Sequence, residues 1–196
     1  MPVLSPGAGP APAAASLAEF KAHLNITDTT QDVEVQAMLD AATGVAEGVV
    51  GPIVERGVTS RVDFPGGALA LPAYPVVSVE SVSSVRRDAV YPETDLEVDA
   101  TAGMVRLTGG SGLPADMYDV TYTVGRAATT DDVPAALKLA VLVIGKHMWE
   151  TQRGRTARPG ILGHNSGVED ERPLMGFALP NRALQLLQPY RQLTVA

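Results

Sequence analysis

The sequence predicts an α+β fold in which a small helical bundle carries an antiparallel β-rich insertion. Apolar residues recur every three or four positions in the second half of segment 16–51, the spacing of one helix face, and segment 133–151 begins apolar nearly all round, as a buried helix does. Between 57 and 125 apolar and polar residues alternate, and Gly and Pro separate short runs, as between antiparallel strands. With 45% hydrophobic and 19% charged residues, the 196-residue chain has the composition of one globular domain. The bundle is expected to contain two N-terminal helices, a central buried helix and a short C-terminal helix.

The N-terminal region predicts a tail followed by two helices. Residues 1–15 include eleven Pro, Ala or Gly, which bury too little side chain to offset ordering entropy, so they are predicted to be a flexible tail. Ser16 and Glu19 have the spacing of a capping box and begin a short helix that ends near Leu24. A second helix ends at Gly51. Its apolar stripe comprises Val35, Met38, Leu39, Ala42, Val45, Ala46 and Val49.

The β-rich insertion covers residues 57–125 inside a domain that is predicted to span residues 16–151. Turn residues divide the insertion into short segments whose side chains alternate between two faces. The candidate strands are Val58–Phe64, Ala68–Leu71, Val76–Val82, Val85–Tyr91, Asp95–Val98, Met104–Thr108 and Val120–Val124.

The third helix is predicted over Pro134–Thr151. Lys138 is its only charged or polar side chain before Gly145, and a helix that is apolar nearly all round is buried on several sides. Residues 152–180 contain five Gly and three Pro without periodicity, which predicts an extended loop or arm. Residues 181–196 are predicted to form a C-terminal helix and tail.

The C-terminal helix offers a candidate docking face for a partner protein or a neighbouring subunit. Leu184, Leu187 and Tyr190 are three residues apart and share one side of a helix. Arg182 and Arg191 add positive charge that can meet acidic groups across an interface. A helix this short is marginal in water, so it packs on its own body or on a partner. The residues alone leave both possibilities open.

The sequence contains no recognisable catalytic, cofactor-binding or metal-binding constellation. The chain has no cysteine, which excludes disulfides, thiolate metal sites and cysteine nucleophiles. Its three histidines lack the spacing of a metalloprotease site, and the glycine-rich segment 109–112 lacks the lysine of a phosphate-binding loop. No apolar run is long enough to span a membrane. We therefore predict a protein that is not an enzyme, uses no cofactor and does not engage a membrane.

Three motifs occur in a recognisable order. They are Leu-Pro-Ala-Tyr-Pro-Val-Val-Ser-Val at 71–79, Val-Pro-Ala-Ala-Leu-Lys-Leu-Ala at 133–140, and Leu-Leu-Gln-Pro-Tyr-Arg at 186–191. A capped helix and an Ala/Val-rich helix precede them. This order resembles the head-tail connector (adaptor) family of tailed bacteriophages, and the matching segments are spread over most of the chain.

The resemblance implies a structural virion protein at the head–tail junction, present in the host cytoplasm during assembly. Members of the family form a ring of twelve copies beneath the portal and extend the DNA channel. The expected partners are further copies of the chain, the portal, the next connector or tail protein, and genomic DNA that passes without sequence-specific binding. Two alternatives remain: another junction protein, such as a tail-completion protein, and a non-viral β-rich module that binds sugar or peptide.

The charge of the chain is compatible with a DNA conduit. Its net charge is −7, and like charge keeps a phosphate backbone from adhering to a channel wall. Asp40 and Glu47 are seven residues apart on the predicted polar face of the second helix, beside Gln36 and Thr43. They are therefore candidate channel-lining residues. The alternative is that this face is a solvated outer surface.

Overall fold

The computed structural model describes residues 3–5, 11–152 and 179–191, and it has the predicted α+β architecture. The helices are α1 (Leu17–Leu24), α2 (Asp32–Val50), α3 (Ala135–Gln152) and α4 (Asn181–Leu187), and α4 continues into a 3-10 turn, Gln188–Tyr190. The strands are β1 (Val3–Ser5), β2 (Arg56–Phe64), β3 (Leu69–Ala70), β4 (Val76–Ser84), β5 (Val90–Pro92), β6 (Leu96–Asp99), β7 (Met104–Leu107) and β8 (Asp116–Val124). Most of the predicted arm, residues 153–178, and residues 192–196 of the predicted tail lie outside the described residues.

The four helices enclose the first of two hydrophobic cores. The predicted capping box begins α1: Ser16 Oγ accepts the Glu19 N–H at 3.2 Å, and the Glu19 carboxylate accepts the Ser16 N–H at 2.8 Å. α3 packs against each of the other three helices, as α2 does, and its contacts with α2 and α4 are the most extensive in the bundle. Its fully buried residues form one stripe, whereas Leu142 is only half-buried. The buried residues of α2 and α3 include Val35, Leu39, Ala42, Ala46, Val50, Leu137, Ala140, Val141 and Ile144.

The N-terminal segment differs from the flexible tail predicted for residues 1–15. β1 pairs antiparallel with β2, and Ala14 and Ala15 are fully buried in the helical core. The Ala14 N–H donates to Thr43 Oγ1 at 3.2 Å, and that hydroxyl donates to the Leu39 carbonyl at 2.9 Å. Because alanine side chains are small, residues 14 and 15 fit closely beside α2 and are buried there. The predicted polar position Thr43 consequently belongs to the core.

Two antiparallel sheets enclose the second core. The larger has the strand order β1-β2-β8-β4-β5, and the smaller has the order β3-β7-β6. β8 alternates strictly: Tyr118, Val120 and Tyr122 are buried between the sheets, while the residues between them are half-buried on the outer face. The alternation that predicted the β-rich insertion therefore reflects one covered face of a sheet.

The predicted strand Val85–Tyr91 is wrong. β4 continues to Ser84, residues 85–89 form a turn, and β5 begins at Val90. Asp88 has a φ of 53°, the left-handed conformation that a tight turn requires and a strand does not.

Two short segments join the helical core to the sheets. The Glu55 N–H donates to the Ala127 carbonyl at 2.8 Å, and the Arg126 N–H donates to the Ile53 carbonyl at 2.9 Å. At Gly125, φ is 145° and an added Cβ would lie 2.5 Å from Glu55 Cα, so only glycine lets the segments cross here. This junction positions Arg126 between the ends of α2 and α4.

Candidate functional site

The C-terminal helix packs on its own body. Ala183 and Leu187 are fully buried in the helical core, and Tyr190 is half-buried against it. Of the two possibilities that the sequence left open, the structure thus shows packing on the body, and it removes the buried Leu187 from the docking candidates. The half-buried Tyr190 stays a candidate. Ala183 and Leu187 are four residues apart, so they lie on one side of the helix and that side faces the body. The predicted face combined Leu187 with Leu184 instead of Ala183.

Arg126 fastens the end of α4 to the end of α2. One guanidinium nitrogen donates to the carbonyls of Val50 and Tyr190, each at 2.9 Å, and the group lies 5.9 Å from the centre of the Tyr190 ring. Both carbonyls end a helical segment, where the helix dipole is negative and favours a cation. Burial lowers the pKa of Arg126 from its ordinary value. No feature of the local sequence predicts this role.

The outward side of α4 keeps the remaining docking candidates. Arg182 and Arg191 are exposed, and Leu184 is 39% exposed. Residues 179–191 contain these two arginines and no acidic residue. The accessible surface of this segment thus includes one partly exposed leucine and two exposed arginines.

Glu47 does not form a free acidic wall. Its carboxylate accepts two hydrogen bonds from the Arg56 guanidinium, at 2.7 and 2.8 Å, and one from the Ile53 N–H at 2.9 Å. Its side chain is only 10% exposed. A paired and largely covered carboxylate adds little negative charge to a channel wall, which argues against the predicted channel-lining role of Glu47. Helical spacing correctly predicts that Glu47 lies on the polar side of α2. It cannot predict that Arg56, the first residue of β2, lies opposite Glu47 in the folded chain.

Asp40 lies on the exposed face of α2, and its carboxylate accepts a hydrogen bond from Gln36 at 2.8 Å. Val33 is 87% exposed on the same face. Val33 does not belong to the predicted apolar stripe of α2. An apolar residue outside the stripe is the one sequence feature that could have predicted an exposed apolar surface here. A shallow groove of about 400 Å³ between α1 and α2 is lined by Leu17, Asp32, Val33, Gln36, Ala37 and Asp40.

The buried carboxylate of Asp116 is held by hydrogen bonds and a nearby arginine that stabilise the fold. It accepts hydrogen bonds from the Ser84 hydroxyl and from the Met117 N–H, and the Arg87 guanidinium lies 3.7 Å away. The Ser84 hydrogen bond is the main cause that lowers its pKa. This network secures the turn between β4 and β5. Within the described residues there is no cluster of three or more side chains suited to hold a metal ion.

Among the residues that the structure describes, no helix is both long and apolar enough to cross a membrane. Two of the exposed surfaces are formed by helices: the groove beside α2, which Asp32 and Asp40 help to line, and the side of α4 that carries exposed arginine. Surfaces of this kind suit protein–protein contacts.

The sequence model of the head completion protein family matches residues 14–193, almost the whole chain. The chain belongs to the head completion protein family. This result confirms the resemblance to phage head–tail connectors that the order of motifs indicated. A comparison with curated proteins finds no match.

The fold of this head completion protein is similar to that of chains from gene transfer agent particles. A chain from the neck of an empty particle, computed with C6 symmetry, has a TM-score of 0.71 and 20% identity. A chain from the neck of a native particle, computed with C12 symmetry, has a TM-score of 0.68 and 20% identity. A chain from the virion of the native particle has a TM-score of 0.70 and 18% identity. Each alignment covers 99% of this chain and 97% of the other, so the fold is shared throughout.

Proposed function

We propose that the chain is a non-enzymatic structural subunit of a virion neck, which forms a ring at the head–tail junction through which DNA passes. The family match over residues 14–193 carries this proposal. The fold similarity supports it, because the similar chains belong to necks computed with C6 and C12 symmetry.

The proposed partners are further copies of the chain, a portal protein, the next connector or tail protein, and DNA without sequence-specific contact. The net charge of −7 disfavours adhesion of phosphate to the ring. Of the two predicted wall residues, Asp40 alone keeps an exposed carboxylate, so the channel-lining role continues only as a prediction for Asp40. The ring is expected to assemble in the host cytoplasm and to act in the virion without a cofactor.

Electron microscopy of the purified protein, with and without portal-bearing heads, tests this function. We expect rings that bind the portal vertex, and heads that lack the protein should fail to join tails. A protein that is monomeric alone and also absent from finished particles would contradict the proposal. Monomers that become rings only on the portal would agree with it.

A further inference from the structure

The groove between α1 and α2 is apolar inside and acidic at its rim. Leu17, Val33 and Ala37 supply its apolar lining, and the 87% exposure of Val33 leaves this lining uncovered. Residues 28–40 contain four acidic residues and no basic one. Of the two that line the groove, Asp32 pairs with Lys21 of α1, so Asp40 contributes most of the negative charge that a partner would meet. A surface of this kind is suited to an apolar side chain with positive charges beside it.

The outward side of α4 has the opposite character. Leu184 is its exposed apolar residue, Arg182 and Arg191 are exposed on the same short segment, and no acid lies between residues 179 and 191. Buried Ala183 and Leu187 hold the inward side on the body. The two surfaces are thus complementary in both polarity and charge.

One chain keeps these surfaces apart. Arg126 binds the end of α4 beside Val50, the last residue of α2, whereas the groove ends at Asp40. Ten residues of α-helix separate these points by about 15 Å. Complementary patches at separate places on one chain satisfy each other between identical copies, and such head-to-tail contacts repeat around a closed ring.

Building on the proposed ring, we propose that Leu184 of one copy docks in the α1–α2 groove of the next copy. Arg182 and Arg191 then face the acidic rim, which includes Asp40. This contact forms part of a larger subunit interface, because one helix side is smaller than a stable interface requires.

Two glycines on the same face of α2 support this contact. A Cβ added to Gly44 or Gly48 would meet no atom within 4 Å, so the fold of the single chain does not need glycine there. Glycine in the interior of a helix is unfavourable. Close approach of a neighbouring subunit to α2 would explain why both positions are glycine, since a side chain there would keep the subunits apart.

Cross-linking in assembled rings tests the contact, and the cysteine-free sequence makes the labelling specific. The variant with Ala37→Cys and Leu184→Cys, treated with a bismaleimide, should give a ladder of covalent oligomers. Either cysteine alone should give none. A control pair, Leu184→Cys with Val90→Cys, uses a position on β5 that is 65% exposed but outside the groove and should also remain monomeric.

Charge exchange gives the second readout. Asp40→Lys alone and Arg182→Glu alone should each reduce ring formation by about tenfold, and the two together should restore part of it. Rings that form normally in Asp40→Lys and yield no ladder would overturn this contact while leaving the proposed ring intact. If the unaltered chain forms no ring even on portal-bearing heads, the proposed function fails and this contact fails with it.

Discussion

The ring of Phe20 in α1 lies against the bare backbone of Gly145 in α3. A Cβ placed on Gly145 would be 2.6 Å from Phe20 Cζ and 3.4 Å from Ala42 Cβ. Phe20 is fully buried, so its ring has little freedom to move away. The missing side chain of Gly145 therefore makes room for an aromatic ring where α1, α2 and α3 meet.

Gly145→Ala should destabilise the protein. Overpacking a filled core costs about 1–3 kcal/mol, while alanine recovers about 1 kcal/mol of helix propensity. Since the added methyl group would lie within 3 Å of a buried ring, we expect the clash to dominate. Chemical denaturation monitored by circular dichroism measures the free energy of unfolding.

Gly48→Ala is the matched control in α2. No atom lies within 4 Å of its added Cβ, so helix propensity alone should act and stability should stay equal or rise by up to about 1 kcal/mol. Adding Phe20→Leu to Gly145→Ala should recover part of the loss. An equally stable Gly145→Ala protein would show that α1 does not rest on α3 in this way.

The fold class was predictable because the spacing of apolar residues and the Gly and Pro residues between elements are local properties of the sequence. The β8 alternation and the capping box at Ser16 and Glu19 are examples, and both recur in the structure. Partners distant in sequence were not predictable. Glu47 has polar spacing on α2, yet Arg56 neutralises it, and the burial of Ala14 depends on Thr43, 29 residues away. No local pattern marks such contacts.

The candidate site was predictable only in part. The sequence correctly placed Arg182 and Leu184 on an amphipathic helix, but it could not show which side the body would cover. That choice depends on Ala183, a small residue that fits closely against the core. In the sequence, Arg126 follows a strand and resembles any arginine in a loop. Its role appears only in the folded chain, where the ends of α2 and α4 come together and both accept its hydrogen bonds.

Leu187→Ala and Leu184→Ala should separate the packing side of α4 from its exposed side. Leu187 is fully buried, so its truncation should cost about 2–5 kcal/mol in the free energy of unfolding. Leu184 is partly exposed, and its truncation should change stability by less than about 0.5 kcal/mol. Thermal unfolding of the two variants makes the comparison. Equal losses would contradict the described orientation of α4.

Glu47→Gln and Asp40→Asn should also differ. Removing the Glu47 charge weakens its bonds to Arg56 and to the Ile53 N–H, which should cost about 1–3 kcal/mol. Asp40→Asn removes an exposed charge and should leave the free energy of unfolding nearly unchanged. Urea titration distinguishes them. A stable Glu47→Gln protein would mean that the ion pair does not hold α2 to β2.

Acid should destabilise the protein through carboxylates such as Asp116. The Ser84 hydroxyl holds the pKa of Asp116 below its ordinary value of 3.8. Asp116 therefore favours the folded state above that value, and this contribution is lost as the pH falls through the lowered pKa. The thermal midpoint should be steady from neutral pH to about pH 5 and fall below about pH 4.

Ser84→Ala tests the cause of this acid response. It removes the hydrogen bond that contributes most to the lowered pKa of Asp116. The variant should be less stable at neutral pH and should lose less stability on acidification than the unaltered protein. An unchanged acid response would assign it to other carboxylates, such as Asp119, whose pKa Arg61 lowers.

Arg126→Met should release α4 before the rest of the protein unfolds. Methionine retains the apolar stem of arginine but cannot donate to the Val50 and Tyr190 carbonyls, which leaves both helix ends without this cation. Hydrogen bonds from a charged donor contribute about 1.5–3 kcal/mol. Hydrogen exchange should therefore quicken over residues 181–190, and trypsin should cleave sooner at Arg182, while the sheets keep their protection. Arg191→Met is the control, because Arg191 is exposed and its removal should leave exchange in α4 unchanged. Uniformly faster exchange in Arg126→Met would show that this arginine supports the whole domain, and unchanged exchange would show that Ala183 and Leu187 hold the helix without it.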